Sequence, residues 1–297
     1  MGVTRRQVLW GGIASVATLG LGYALVENRV LPGKTRLDKA LGACGTEPAL
    51  PTNPVGTQVT GSFTSKARRG VAVHYTISYP PGHATTEQLP VLIGFPGRGG
   101  TDVHVFTALH IDAFYAAELA ASRVRPFAIA SADGGASTDW HARDNGDNPA
   151  AMILDEFIPL LHGRGLKTDK VAFWGQSLGG YGAIHLAMLA GAARCSATVG
   201  SSPALWHSFQ EAAYGTYDNA ANFAANTVFG RESELDGIAV RIDCGSSDPF
   251  APNVAQFRNS LKPTPAGAIA DGCHDNAFTM RHLPAQLQFV DQHLSPS

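Results

Sequence analysis

Short apolar runs alternate with segments of helical spacing from about residue 61 to the end of the chain. Val71-Ala72-Val73-His74-Tyr75-Thr76-Ile77 alternates and is β-branched, which predicts a strand with one wet face. Val91–Phe95, Phe127–Ala130, Val171–Trp174, Ala197–Val199 and Ile238–Asp243 are continuous apolar or nearly apolar runs, as expected of strands covered on both faces. Between them, residues 106–121, 150–161, 180–189 and 254–261 carry helical spacing, with Met152, Ile153, Phe157 and Leu160 on one stripe. A short strand over Ala266–Ala270 and a helix over Pro284–Leu294 complete the pattern. Strands alternating with helices predict an α/β domain over 61–297, with a mostly parallel sheet flanked by helices. Residues 206–237 fit neither period. A segment of that length predicts a lid or one wall of a pocket.

The first 60 residues are different. Arg5 and Arg6 precede an uncharged stretch, residues 8–26, that is long enough to span a bilayer as a helix. The run Thr4-Arg5-Arg6-Gln7-Val8-Leu9 and the four glycines within 8–26 resemble a twin-arginine export signal instead. Residues 1–30 are therefore read as an export signal or a signal anchor, and 31–60 as a linker. Membrane contact, if any, runs through residues 8–26, and the expected location is outside the cytoplasmic membrane, released or anchored. Gly22-Tyr23-Ala24 is a candidate cleavage site. Leu41-Gly42-Ala43-Cys44 has the form of a lipidation box, but Pro32, Lys34, Arg36 and Asp38 separate it from the apolar run.

Composition narrows the function. The net charge is −2 and only 15% of residues are charged, so the basic surface that nucleic-acid binding needs is missing. The one basic cluster, Lys66-Ala67-Arg68-Arg69, reads as a solvated turn. Four cysteines, at 44, 195, 244 and 273, suit an exported protein, and without a C-x-x-C they indicate neither a redox nor a zinc motif. Asp144-Asn145-Gly146-Asp147 lacks the spaced ligands of a calcium loop and reads as a polar turn. No metal or cofactor is implied.

Gly175-Gln176-Ser177-Leu178-Gly179 carries the chemistry. A G-x-S-x-G is weak evidence in a chain with 33 glycines, but this one directly follows the strand Val171–Trp174 and opens a helix. That placement is what a nucleophilic serine requires: a sharp turn that exposes the hydroxyl beside the free N–H groups of a helix start. A serine hydroxyl is a poor nucleophile until a base removes its proton, so a histidine held by a carboxylate should follow in the chain. His185 and His293 lie in predicted helices, His207 in the irregular segment, and His282 just ahead of the last helix. His274, in Asp271-Gly272-Cys273-His274-Asp275, is the one that falls in a loop after a late strand. Asp248 sits in the turn after the strand Ile238–Asp243, at the strand edge where catalytic groups gather, and is preferred to Asp243, Asp271 and Asp275. The loop Pro96-Gly97-Arg98-Gly99-Gly100 follows an earlier strand, and the N–H of Arg98 with that of Leu178 suits an oxyanion hole. Trp140, His141 and Gln176 are candidate substrate contacts. Phe209, Tyr214, Tyr217 and Phe223 either line an acyl pocket or form the core of the 206–237 segment. A Cys244–Cys273 disulfide would pin the acid and base loops together.

The glycine loop Phe95–Gly100, Asp133-Gly134-Gly135 with Trp140, and Met152–Leu161 leading to the elbow at Ser177 form an ordered set. With Cys244–Asp248 and Gly272–Asp275 it resembles the Putative esterase family of α/β-hydrolases, which includes esterase D, feruloyl esterases and secreted mycolyltransferases. The resemblance covers roughly residues 65–295. It implies an α/β-hydrolase fold and a Ser177, Asp248, His274 triad that cleaves a small-molecule or lipid ester through an acyl-enzyme. Phe95-Pro96-Gly97 stands where similar esterases often have His-Gly, and Phe278-Thr279-Met280 where they often have a Trp after the histidine. Mycolyltransferases usually use Glu as the acid, which Asp248 does not match. Two other readings remain: an acyltransferase that passes the acyl group to an alcohol, and a non-catalytic envelope-binding module that kept the fold.

Overall fold

The computed structural model describes residues 34–135 and 139–294; the proposed signal or anchor, residues 1–30, lies outside the described residues. Eight strands form one sheet: β1 (Gln58–Ser65), β2 (Val71–Ser78), β3 (Pro90–Phe95), β4 (Ala128–Ala132), β5 (Lys167–Gln176), β6 (Cys195–Ser201), β7 (Ala239–Gly245) and β8 (Ile269–Ala270). Their spatial order is β1-β2-β4-β3-β5-β6-β7-β8. β1 and β2 run antiparallel to their neighbours, and every pairing from β4 to β8 is parallel.

The helices are α1 (Lys34–Ala40), α2 (His104–Thr107), α3 (Ile111–Ala120), α4 (residues 149–163), α5 (Leu178–Arg194), α6 (Ala220–Asn226), α7 (Ala251–Ser260) and α8 (Asn276–His293). Alternation along the strands divides the core into two layers. Val91, Ile93, Val171 and Phe173 pack on the face covered by α4, α5 and α7. Leu92, Ala172, Trp174 and Val199 pack on the opposite face, against α3 and α8. All eight of these side chains are wholly buried, and the larger ones each contribute about 1.5–3 kcal/mol of apolar transfer free energy. The continuous apolar runs of β3, β4 and β5 follow from this two-sided covering.

Several elements differ from the sequence reading, each for a local reason. Strand β1 has no apolar run because only alternate residues, among them Val59 and Phe63, turn inward at the sheet edge. Its Gly61 is required: a side chain there would run into the Tyr75 ring. The helix expected over 106–121 is two helices, broken where His110 adopts φ 52°. Segment 206–237 contains α6, capped by the Asn219 side chain, and a 3-10 turn at Glu232–Leu235. The last helix begins eight residues before Pro284, which lies in its interior, because Asp275 caps the Phe278 N–H.

The stretch read as a linker carries α1 and the start of β1, and Cys44 within it is disulfide-bonded to Cys273, a sequence separation of 229. The expected Cys244–Cys273 bridge is therefore incorrect; Cys244 and Cys195 are buried and belong to no disulfide. The side chain of Cys244 on strand β7 faces the interior core, and its sulfur lies against its own strand's Gly245 carbonyl. Arg68 also departs from expectation. The β1–β2 turn buries it, and it pairs with Asp147 at 3.0 Å while donating to the Asp133 carbonyl. Among the described residues, no helix is long and apolar enough to cross a membrane.

Candidate active site

Strand β5 ends at Gln176 and helix α5 begins at Leu178, so Ser177 alone makes the turn, with φ 56° and ψ −120°. A non-glycine residue in that conformation is strained, and the strain persists because the surroundings fix it. The flanking glycines make room. A Cβ on Gly175 would strike the Gly179 carbonyl, and one on Gly179 would strike the Phe95 carbonyl at the end of β3. The Ser177 N–H donates to the Ser201 carbonyl on β6, and its carbonyl accepts from Ala204 and Tyr181.

The side chains of Ser177, His274 and Asp248 meet although the three lie far apart in the chain. Ser177 Oγ is 2.9 Å from His274 Nε2, and His274 Nδ1 is 2.7 Å from Asp248 Oδ2. A carboxylate can only accept, so Nδ1 carries the proton and Nε2 is left as the acceptor for the serine O–H. Asp248 is wholly buried, and its Oδ1 accepts the Phe250 N–H at 2.8 Å. The His274 side chain is one-quarter exposed, so one edge of the ring stays open to a substrate.

The Pro96–Gly100 loop lies against this elbow. A Cβ on Gly97 would sit 3.4 Å from Ser177 Cβ. Gly100 donates to the Gly97 carbonyl and Gly99 has φ 74°, which makes residues 97–100 a tight turn whose own hydrogen bond does not use the Arg98 N–H. Leu178 is the first residue of α5, so its N–H has no acceptor within the helix. Both donors therefore lie in backbone that borders the serine.

The proposed substrate contacts fare differently. Gln176 donates to Asn276 Oδ1 at 3.0 Å, tying the elbow to the start of α8. Trp140 is a support and not a wall. It is buried against Phe95 at 4.8 Å between ring centroids, approaches Gly134 and Gly182, and donates from its indole to the Pro96 carbonyl at 3.3 Å. His141 is wholly buried, which excludes the expected direct contact. Its Nδ1 and Nε2 each lie 2.9 Å from a carbonyl, of Ala142 and Thr216, while burial lowers its pKa, so the neutral ring donates to one carbonyl at a time.

Two aromatic residues near His274 escaped the sequence reading. Phe250 lies 5.3 Å from His274, and Trp206 lies 5.3 Å from Phe250. Phe250 was legible in principle, being two residues beyond Asp248 in the same turn. Of the four aromatics singled out in the 206–237 segment, Tyr217 and Phe223 are core, Phe209 is partly buried, and Tyr214 is fully exposed. The acidic turn holds its own partners: Asp147 pairs with Arg68, and Asp144 accepts from Asn219 and Asn222.

Sheet order, elbow and loop placement define an α/β-hydrolase. The family model described as Putative esterase matches residues 67–281, and the chain belongs to that family; it is an esterase. A solved ferulic acid esterase superposes with a TM-score of 0.69 at 19% identity, covering 82% of this chain and 100% of the other. An S-formylglutathione hydrolase from Agrobacterium tumefaciens gives a TM-score of 0.65 at 14% identity, covering 84% and 100%. A ferulic acid esterase from Anaeromyces mucronatus, solved with ferulic acid, gives 0.65 at 15%, covering 84% and 94%. A search of curated proteins finds no match to this sequence.

Proposed function

We propose that the protein is an exported serine carboxylesterase in which Ser177, His274 and Asp248 form the catalytic triad. The observation that carries this reading is the unbroken hydrogen-bond chain Ser177 Oγ–His274–Asp248 at 2.9 and 2.7 Å. As Ser177 Oγ bonds to the ester carbonyl carbon, His274 Nε2 takes the hydroxyl proton. The carbonyl oxygen becomes an oxyanion, held by the N–H groups of Arg98 and Leu178. His274 then gives the proton to the departing alcohol oxygen as the C–O bond breaks. Water adds to the acyl-enzyme with His274 as base, and the acid is released as Ser177 regains its proton. Asp248 keeps Nδ1 protonated and stabilises the imidazolium. Ester and water go in, acid and alcohol come out.

Export is proposed from the twin arginines and the uncharged stretch 8–26. The Cys44–Cys273 bridge supports an oxidising destination. The test of the catalytic reading is hydrolysis of p-nitrophenyl esters from acetyl to long acyl chains. Ser177→Ala is expected to lose about 10³-fold or more of kcat with its fold intact. Equal turnover by the variant would refute the serine mechanism.

A further inference from the structure

The contacts around the Ser177–His274 mouth close into a ring. From His274 the ring passes to Phe250 at 5.3 Å, to Trp206 at 5.3 Å and to Tyr217 at 6.3 Å. The neighbouring residue, Thr216, accepts a hydrogen bond on Oγ1 from Arg98 Nη2 at 2.5 Å. Arg98 follows Gly97, which abuts Ser177. Arg98 is thus joined to the Ser177–His274 pair from two directions, through Gly97 of its own loop and through a largely buried aromatic chain.

That guanidinium is fixed but unsaturated. Its side chain is 43% exposed, and of its five N–H donors the bond to Thr216 uses one, on Nη2. The nearest carboxylate, Asp139, is 3.7 Å from the same nitrogen and only 2% exposed. Asp139 is shared with Arg143, 4.0 Å away, and its Oδ2 accepts no hydrogen bond. Arg143 is otherwise taken up by Asp218 at 2.7 Å. Asp139 therefore holds the Arg98 head from behind without occupying its open edge. An exposed, pre-positioned guanidinium fork is the group that best matches a carboxylate.

We propose that Arg98 is a specificity-determining residue of this esterase, its side chain binding a carboxylate on the substrate while the ester carbonyl is at Ser177. The preferred substrates are then esters that carry a free carboxylate, on the acyl or the alcohol side. The inference rests on the proposed Ser177 mechanism and extends it to the substrate class.

Two matched pairs test it on the full-length enzyme. Mono-p-nitrophenyl glutarate against p-nitrophenyl pentanoate places the acid on the acyl side. The butanoate of 4-hydroxybenzoic acid against phenyl butanoate places it on the alcohol side. The readout is the anionic-to-neutral ratio of kcat/KM, compared between enzymes so that intrinsic ester reactivity and any common loss cancel. Arg98→Gln should lower the ratio about tenfold or more in at least one pair, and Arg98→Lys should restore part of it. Asp139→Asn, by removing the opposing charge, should raise the ratio in the same pair. Opposite shifts from the two variants are not produced by general loosening of the loop. Ratios unchanged by Arg98→Gln in both pairs, with neutral esters still cleaved through Ser177, would overturn the inference alone. Turnover that survives Ser177→Ala would instead overturn the reading beneath it.

Discussion

The loops that present Asp248 and His274 do adjacent jobs, yet they are held by different means. The acid loop follows β7, a seven-residue strand whose Ala239–Asp243 pair with β6 and whose last two residues pair with β8. Its turn is closed locally: Asp248 N–H bonds to the Gly245 carbonyl, and its own carbonyl accepts from Ala251. The base loop follows β8, which has only two residues. It is fastened from outside by the disulfide to Cys44, whose carbonyl also accepts from Arg281 on α8 at 2.9 Å. The two loops touch through Gly245 and Gly272, whose backbones leave no room for a side chain on Gly245, and through a Ser247 N–H bond to the Gly272 carbonyl. Where the turn closes on its own strand, neighbouring backbone suffices to place the Asp248 carboxylate. Where the sheet tapers, the chain uses a covalent tie to a distant segment.

The comparison can be broken hardest at the acid. Asp248→Asn keeps the turn but removes the charge opposite the His274 ring. It should lower kcat by about 10³–10⁴-fold with little change in thermal stability. On the base side the larger effect should fall on stability. Cys44→Ala removes a crosslink spanning 229 residues and should cost about 2–5 kcal/mol in urea unfolding, with kcat lowered as the His274 loop loosens. Cys244→Ala, on β7 just ahead of the acid loop, takes away only a buried thiol outside any disulfide and should cost roughly 1 kcal/mol, with kcat unchanged. Equal costs for the two cysteine variants would remove the distinction between the loops.

The last effect, confined to the upper part of the pH range, concerns the charge behind the oxyanion loop. Burial is the main cause that raises Asp139 to about 6, against the lowering influence of Arg98 and Arg143. A carboxyl with a raised pKa binds its proton more tightly in the folded state. The stability it contributes is complete below about pH 4 and is lost as pH rises through about 6. Asp139→Asn should therefore stabilise the protein by about 2 kcal/mol at pH 7.5 and leave it unchanged at pH 4. Urea unfolding at the two pH values measures the difference.

What could be read from the sequence follows the same physical division. The strands β3 to β7 are visible because two-sided burial forces apolar runs, and the Ser177 elbow because strain and crowding force glycines at 175 and 179. Asp248 and His274 could be placed by chain order and by the strand ends they follow. The disulfide partner of Cys273 could not, because nothing local to Cys44 encodes a contact 229 residues away. Trp140 and His141 have the composition of ligand contacts, and only packing shows that they are buried supports. Strand β1 was hidden by its polar outer face.

The proposed chemistry depends on activation of Ser177 by His274. Its most direct test is covalent labelling with a fluorophosphonate, read by intact mass and peptide mapping in the wild type, Ser177→Ala and His274→Ala. A single adduct on Ser177 is expected, none in Ser177→Ala, and labelling slowed by about 10²-fold or more in His274→Ala. An adduct on another residue, or equal labelling rates with and without His274, would contradict it.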